Sequence, residues 1–172
     1  LSLLPNATLS VQNDAKLLVV GDIRADSASV SVESGGSVYV QGHSISKSGT
    51  WRVDGSMHMD EYLDSSSDAW NIGGDVTVKE DTKITSSTVG GNGVLRMMGD
   101  LMVSSGTWNK PNIAFISKLP QNVSGFSISV NQITIENRSK SGITFDSTVY
   151  YYGNCINDDS MIVNPNKMIA KS

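Results

Sequence analysis

The chain has 172 residues, of which 38% are hydrophobic, a net charge of −4 and a single cysteine. The acidic balance and the lack of Lys/Arg runs longer than a pair exclude the electrostatic footprint of a nucleic-acid-binding protein. No apolar stretch approaches the roughly 20 residues that cross a bilayer, so no membrane span is expected. Cys155 alone can form neither an internal disulfide nor a cysteine-based zinc cluster.

The chain begins with a short segment that favours a capping role. Leu1 to Leu4 precede Pro5, and the alternation from Ala7 to Val11 is typical of a first strand. Residues 1–16 are therefore expected to form an N-terminal cap or a first coil.

The stretch Trp70–Val78, Trp-Asn-Ile-Gly-Gly-Asp-Val-Thr-Val, is the clearest unit of a repeat. Its apolar residues share one parity, so in an extended chain they lie on one face, while Gly74 stands where a side chain would obstruct a bend. Related copies, one of them incomplete, occupy residues 17–25, 38–44, 51–59 and 95–103.

The spacing of the copies indicates a solenoid. Their central glycines are separated by 21, 13, 19 and 25 positions, at Gly21, Gly42, Gly55, Gly74 and Gly99. Three intervals near 20 favour stacked coils over the hairpins of a sandwich, and the interval of 13 predicts different corners for Gly42 and Gly55. In the second copy Ile45 is displaced by one position, which predicts a bulge at Gly42.

Beyond Trp108 the apolar segments become shorter and less regular, as expected for further coils up to residue 154. Residues 155–172 are polar and contain Pro165, and we expect them to form a closing cap or tail. The pair Asp158 and Asp159 within this segment favours a turn.

The repeated pattern, with Leu119–Gly125 leading into Val130–Asn137 and Gly142–Phe145, resembles the right-handed parallel β-helix repeats of large bacterial surface and adhesin-like proteins. The resemblance covers roughly residues 15 to 150. It implies an all-β, single-stranded parallel β-helix, or β-solenoid, with irregular coils and a polar C-terminal cap or tail. It also implies an extracellular, cell-surface setting.

Residues 60–68 depart from the repeat and are predicted to be a loop insertion. Four carboxylates and one aromatic ring fall within this stretch, which makes it the candidate site for Ca²⁺ or a glycan. The spacing matches no EF-hand loop, and a solvated surface loop is the favoured alternative. The candidate residues are Asp60, Glu61, Tyr62, Asp64 and Asp68.

Other positions are weaker candidates for a metal site or a catalytic site. Alternation places Met57 and Met59 in the core and His58 outside, which favours packing over a soft-metal site. His43 and His58, the two histidines, lie in different repeats, and the sequence shows neither a Ser-x-Gly nucleophile elbow nor a Cys–His pair, so nucleophilic catalysis has little support.

Three aspartates that follow glycines, Asp22, Asp75 and Asp100, occupy the same place in their repeats. They predict either an external ladder of carboxylates or, more simply, repeated turns that the Asp side chains support.

The sequence thus favours a non-catalytic extracellular stalk or binding segment of a larger bacterial surface protein, with a glycan or a host or cell-surface protein as partner. One alternative is a carbohydrate-binding or polysaccharide-degrading β-helix. Another is a solenoid that self-associates end to end through its exposed strand edges. No cofactor is expected, and Ca²⁺ is the one ion considered.

Overall fold

The structure, a computed structural model, describes residues 1–158 and 160–172. The chain winds through about nine turns, and most turns contribute one strand to each of three sides. All the paired strands are parallel, which confirms the predicted all-β parallel solenoid. Among the described residues no helix is long and apolar enough to cross a membrane.

The first five coils contain β1 (Ser2–Leu3), β2 (Thr8–Val11), β3 (Lys16–Val19), β4 (Ile23–Asp26), β5 (Ser29–Val32), β6 (Ser37–Val40), β7 (Ser44–Lys47), β8 (Thr50–Val53), β9 (Ser56–Met59), β10 (Leu63–Ser66), β11 (Ala69–Ile72), β12 (Asp75–Val78), β13 (Thr82–Thr85), β14 (Ser87–Gly90) and β15 (Val94–Met97). The later coils contain β16 (Leu101–Val103), β17 (Gly106–Asn109), β18 (Asn112–Ser117), β19 (Gln121–Gly125), β20 (Ile128–Val130), β21 (Ile133–Asn137), β22 (Ile143–Phe145), β23 (Val149–Tyr151), β24 (Cys155–Asn157), β25 (Ile162–Val163), a 3₁₀ turn (Pro165–Lys167) and β26 (Met168–Ala170).

The sides of the solenoid are defined by their sheets. Sheet A holds nine strands from β1 to β25, taking every third strand, and sheet C holds eight from β3 to β24. The remaining side consists of sheet B, six strands from β2 to β17, followed by a separate three-stranded sheet of β20, β23 and β26.

The register places each residue over one that lies a single coil earlier. Trp70 pairs with Trp51, 19 positions before it, and Val123 pairs with Leu101, 22 positions before it. Across all the sheets the offset is 18 to 22 residues, so the predicted period near 20 is confirmed. Residues of one column therefore share an environment along the whole stack.

The core is a continuous column of inward side chains that runs from Val11 to Val149. In the unit Trp70–Val78, the four residues of one parity are all buried, as predicted. A fully buried side chain of this kind contributes roughly 1.5–3 kcal/mol, and it needs the coil on each side to cover it.

Glycines form the corner between sheets B and C because successive coils approach closely there. A Cβ atom at Gly74 would lie 2.0 Å from the carbonyl oxygen of Gly55, and one at Gly93 would lie 2.0 Å from that of Gly74. Gly42 belongs to a different corner, the one between sheets C and A, where its amide donates to the carbonyl of Gly21. The prediction of different corners for Gly42 and Gly55 is confirmed.

Two local predictions are wrong, for one physical reason. Residues 60–68 are not a loop insertion, because Leu63–Ser66 is a strand of sheet A that pairs with the coils on both sides. No bulge displaces Ile45, which pairs in continuous register with Arg24 and Asp64. In both coils serines point inward. Buried and exposed residues therefore alternate along these strands, although apolar and polar residues do not.

The segment 155–172 continues the stack. Its strands β24, β25 and β26 pair in parallel with β21, β22 and β23, so the coils do not stop at residue 154. β24 is exposed along its whole length. Of the turn expected at Asp158 and Asp159, Asp159 lies outside the described residues.

Substituting Gly74 tests the close approach of the coils. We expect Gly74→Ala to lower the free energy of unfolding by about 1–3 kcal/mol, because the new methyl group meets a backbone carbonyl that cannot move without breaking the ladder. Asn71→Ala, on the outer face of the preceding strand, is the control and should change stability by no more than about 0.5 kcal/mol. Urea unfolding followed by circular dichroism measures both, and equal stability of the two variants would contradict the packing argument.

Candidate functional site

The five residues predicted to form a site are distributed over three environments. Asp60 and Glu61 lie at the corner between sheets C and A, Tyr62 and Asp64 line the outer side of sheet A, and Asp68 is 2% exposed. The described residues contain no group of three or more His, Cys, Asp or Glu side chains that could hold a metal ion. The structure thus does not bring the proposed Ca²⁺ ligands together.

Asp60 is the centre of a charged cluster that joins three coils. Its carboxylate accepts a short hydrogen bond from the Tyr39 hydroxyl, lies 2.5 Å from Lys79 Nζ and lies 3.3 Å from His58 Nε2. Lys79 and then Tyr39 lower the pKa of Asp60. In turn, Asp60 raises the pKa of both Tyr39 and Lys79. Asp60, Tyr39 and Lys79 are therefore each held in their ordinary ionisation state at neutral pH, and these three groups are poorly suited to general acid–base catalysis.

His43 makes contacts at the same corner, one coil from Tyr62. The two rings stack with their centroids 4.0 Å apart. Glu61 Oε2 lies 2.6 Å from His43 Nδ1, but outside hydrogen-bonding geometry. The backbone amide of His43 donates to Asp22 Oδ1 at 3.1 Å, and this bond is the main cause of a lowered Asp22 pKa.

His58 lies outside the core, as predicted, and stacks on Tyr39 with the ring centroids 5.0 Å apart. Met57 and Met59 are buried on either side of it in the sequence, at 1% and 0% exposure. Each histidine thus stacks on an aromatic ring of a neighbouring coil and lies beside a carboxylate, which is Glu61 of the next coil for His43 and Asp60 of the same coil for His58.

A cleft of about 390 Å³ lies on sheet A and contains the two remaining outer candidates, Tyr62 and Asp64. We call it the sheet A cleft. Lys83 Nζ lies 3.4 Å from Asp64 Oδ2 across one coil step. The cleft is also lined by Asp81, Thr82, Asp100, Met102 and Asn122.

Two aspartates that line the sheet A cleft accept hydrogen bonds from backbone amides of the next coil. Asp81 Oδ1 accepts from the amide of Asp100 at 2.9 Å, and Asp100 Oδ1 accepts from the amide of Asn122 at 2.7 Å. Asp22 does the same for His43. These side chains bond across coils, whereas the simpler interpretation expected them to support their own turns.

The predicted alignment of Asp22, Asp75 and Asp100 is wrong for Asp75. Asp75 belongs to sheet C, where it pairs with Ser56 and Val94 and contacts Arg96 at 3.1 Å. The glycine before it stands at a different corner from the glycines before the other two, so the same short motif marks two positions in the coil.

Asp68 is a core residue, so the expectation of a solvated loop fails there. Its Oδ1 accepts from the Gly49 amide at 2.7 Å and from Ser46 Oγ at 3.0 Å, while Oδ2 accepts from Ser65 Oγ at 2.6 Å. Its own amide donates to Ser87 Oγ. Burial raises the pKa of the Asp68 carboxyl, and the donors counter only part of that effect. A substrate cannot reach this carboxylate.

The serines of this network also bind the tryptophans of the core. Trp51 Nε1 donates to Ser46 Oγ at 2.7 Å and Trp70 Nε1 donates to Ser65 Oγ at 2.9 Å, each across five positions. Trp108 has Val103 at the corresponding place, and its Nε1 is buried without a partner among the described residues. The repeated Ser-x₄-Trp spacing was the signal in the sequence that could have identified these buried serines.

The contacts between outer side chains of successive coils could have been predicted from the repeat period of about 20 residues. Tyr39 and Asp60 are 21 positions apart, and 19 positions separate Asp60 from Lys79 and Asp64 from Lys83. Each is a pair of residues in successive coils. Sequence reasoning grouped the acidic residues by their proximity along the chain, whereas their partners lie one coil away.

Comparison with known proteins returns no matching family model, no matching curated protein and no matching solved structure.

Substitution of Asp68 separates its charge from its hydrogen bonds. We expect Asp68→Ala to lower the free energy of unfolding by about 1–3 kcal/mol, because the Gly49 amide and two serine hydroxyls lose their acceptor. Asp68→Asn keeps an acceptor and carries no charge, so at pH 7 it should be more stable than Asp68→Ala.

The pH dependence of the same position has a defined sign. Because the folded-state pKa of Asp68 is raised, its contribution to stability is fully present below the unfolded pKa and is lost as the pH rises through the folded value. The stability of Asp68→Asn relative to the unmodified protein should therefore increase from pH 4 to pH 7 in urea unfolding. A constant difference between the two proteins would contradict this assignment.

Proposed function

We propose that this chain is a non-catalytic structural and binding segment, a stalk or adhesin-like module, of an extracellular bacterial surface protein. The observation that carries the proposal is the uninterrupted stack of about nine coils around one continuous core. At the strand spacing of roughly 4.8 Å, such a stack is about 40 Å tall. A rod of this kind holds whatever it carries at a fixed distance and orientation.

The bonds between coils support a rigid rod. Parallel ladders join successive coils on two sides throughout and on the third side everywhere except between β17 and β20, and aspartate side chains add bonds at the corner between sheets C and A. In a solenoid each coil is stabilised by its neighbours, so flexing one coil exposes the apolar faces of two others.

The ionisation and the hydrogen bonding of the polar groups support a non-catalytic role. Asp60, Tyr39 and Lys79 hold one another in their ordinary ionisation states, and Asp68, the one buried carboxylate among the described residues, is occupied by donors of the protein. Although Cys155 is exposed, partial desolvation raises the pKa of its thiol, which lowers its thiolate fraction and its reactivity.

Polysaccharide turnover and hydrogen exchange test the structural role together. We expect the purified chain to leave pectin and mucin glycans intact, and the amides of the central coils, from β7 to β18, to exchange slowly as one block. Glycan cleavage at ordinary enzyme rates would refute the non-catalytic assignment. Rapid exchange confined to one or two central coils would refute the rigid rod.

A second candidate function, carbohydrate binding, is favoured by the sheet A cleft. An aromatic ring, Tyr62, stands beside Asp64 and Lys83 in an open groove, and sugars are bound by such combinations of an apolar ring face with polar groups. The groove crosses several coils, so a linear glycan could lie along the stack.

Paired substitutions test this second function. We expect Tyr62→Ala and Asp64→Asn each to weaken glycan binding about tenfold, since each removes one of the few directed contacts in the groove. The matched controls are Tyr150→Ala and Asp75→Asn, which lie outside the cleft, and they should bind as the unmodified chain does. Binding on a glycan array, with affinities from isothermal titration, gives the comparison, and binding that all four variants retain would exclude the cleft.

A further inference from the structure

The sheet A cleft begins where a short column of aromatic rings ends. The residues that directly precede the strands of sheet A stand over one another, and from the third coil onward they are His43, Tyr62, Asp81, Asp100 and Asn122. His43 and Tyr62 stack on each other, whereas the residues of the next three coils have shorter side chains. The cleft therefore opens beside Tyr62, on the side away from His43.

The wall of the cleft beyond the ring carries three carboxylates without a counter-charge. Glu80, Asp81 and Asp100 line it, and none of them has an ion-pair partner within 4.0 Å in the described part of the chain. Asp81 and Asp100 each use Oδ1 to accept an amide of the next coil, so the second oxygen of each is available to a ligand. Because the two aspartates belong to successive coils, they are separated by one coil step of roughly 4.8 Å.

The lysines near these carboxylates are already paired with other acids. Lys83 Nζ lies 3.4 Å from Asp64 Oδ2 within the cleft. An adjoining groove of about 350 Å³ shares the three carboxylates, and its one lysine, Lys79, lies 2.5 Å from Asp60. The charge that the two grooves leave unpaired is therefore negative, in agreement with the net charge of −4.

The aromatic ring and the carboxylates favour the same charge on a ligand. The electron-rich face of a tyrosine attracts a cation, and carboxylates form strong, charge-assisted hydrogen bonds with ammonium groups. Asn122, further along the same wall, has a buried Oδ1 that accepts no hydrogen bond from the described residues. The matching ligand thus supplies positive charge and N–H donors, and an anionic ligand is repelled.

The length of this wall favours an oligomer over a single small cation. Tyr62 and Asn122 are three coil steps apart, which corresponds to roughly 14 Å along the stack. A ligand that contacts the ring, both aspartates and the amide must therefore be linear and must repeat its donors along its length.

We propose that the sheet A cleft binds a linear glycan whose sugars carry free amino groups, such as an oligomer of glucosamine. One sugar ring packs on the open face of Tyr62, and the ammonium groups of the following sugars donate to Asp81 and Asp100. This inference rests on the carbohydrate binding proposed for the same cleft, and it adds the charge and the functional group of the ligand.

Isothermal titration at pH 6 with three tetrasaccharides tests the inference. The β-1,4-linked glucosamine tetramer carries ammonium groups, its N-acetylated form has the same backbone without the charge, and a galacturonate tetramer carries carboxylates. We expect the glucosamine tetramer to bind about tenfold more tightly than the N-acetylated form, since only the former makes charged contacts. This advantage should shrink as salt is added, and the galacturonate tetramer should not bind.

Variants of the carboxylates locate the amines. Asp81→Asn and Asp100→Asn keep an oxygen for the amide of the next coil and remove only the charge. Each should weaken binding of the glucosamine tetramer about tenfold and leave binding of the N-acetylated tetramer unchanged. The control Glu33→Gln removes an exposed acid at the corner between sheets B and C and should alter neither affinity. Circular dichroism verifies the fold of each variant.

The outcomes separate this inference from the function on which it rests. If the glucosamine and N-acetylated tetramers bind equally well, carbohydrate binding stands and amine recognition is overturned. If none of the three sugars binds, both are overturned. Amine recognition is also overturned if tetralysine binds as tightly as the glucosamine tetramer, or if Glu33→Gln weakens binding as much as Asp81→Asn, because the attraction is then general to cations or to the whole surface.

Discussion

The parallel backbone ladder is the constraint on which the rest of this structure depends. Wherever strands pair, it fixes each residue directly over the one that lies 18 to 22 positions earlier, and only between β17 and β20 on the third side is it interrupted. Like environments therefore form columns: a column of apolar side chains becomes the core, and the column of glycines that includes Gly55, Gly74 and Gly93 becomes the corner where backbones nearly touch. A substitution in such a column acts on three coils at once.

The same constraint explains why the acidic stretch is a poor ion site. Charges that are neighbours along the chain point to different sides of a strand or around a corner, whereas residues one coil apart face each other. Asp60 meets Lys79 and Asp64 meets Lys83, so the structure neutralises its own carboxylates between coils. An open surface is then found where a groove crosses several coils, as in the sheet A cleft.

The buried polar network around Asp68 constrains the register of the coils more narrowly than the apolar columns do. Apolar columns tolerate exchange among similar side chains, but a carboxylate such as Asp68, which accepts bonds from two serines and one amide, is satisfied in one register only. The stacked rings of Trp51 and Trp70, 4.6 Å apart, are held by the same serines. We infer that this network fixes the alignment of the early coils, since a shift by one residue would leave the carboxylate unpaired in the core.

The sequence by itself determined the class of fold, because alternation of apolar residues and regularly spaced glycines require short strands joined at tight corners, repeated about every 20 residues. It also determined that Met57 and Met59 are inside and His58 outside. Only the tertiary structure decided that Ser44, Ser46, Ser65 and Asp68 point into the core. Hydrophobic alternation cannot reveal such residues, since whether a hydroxyl or carboxylate can be buried depends on donors and acceptors that an adjacent coil supplies. For the same reason the position of each candidate site residue was decided by partners one coil away.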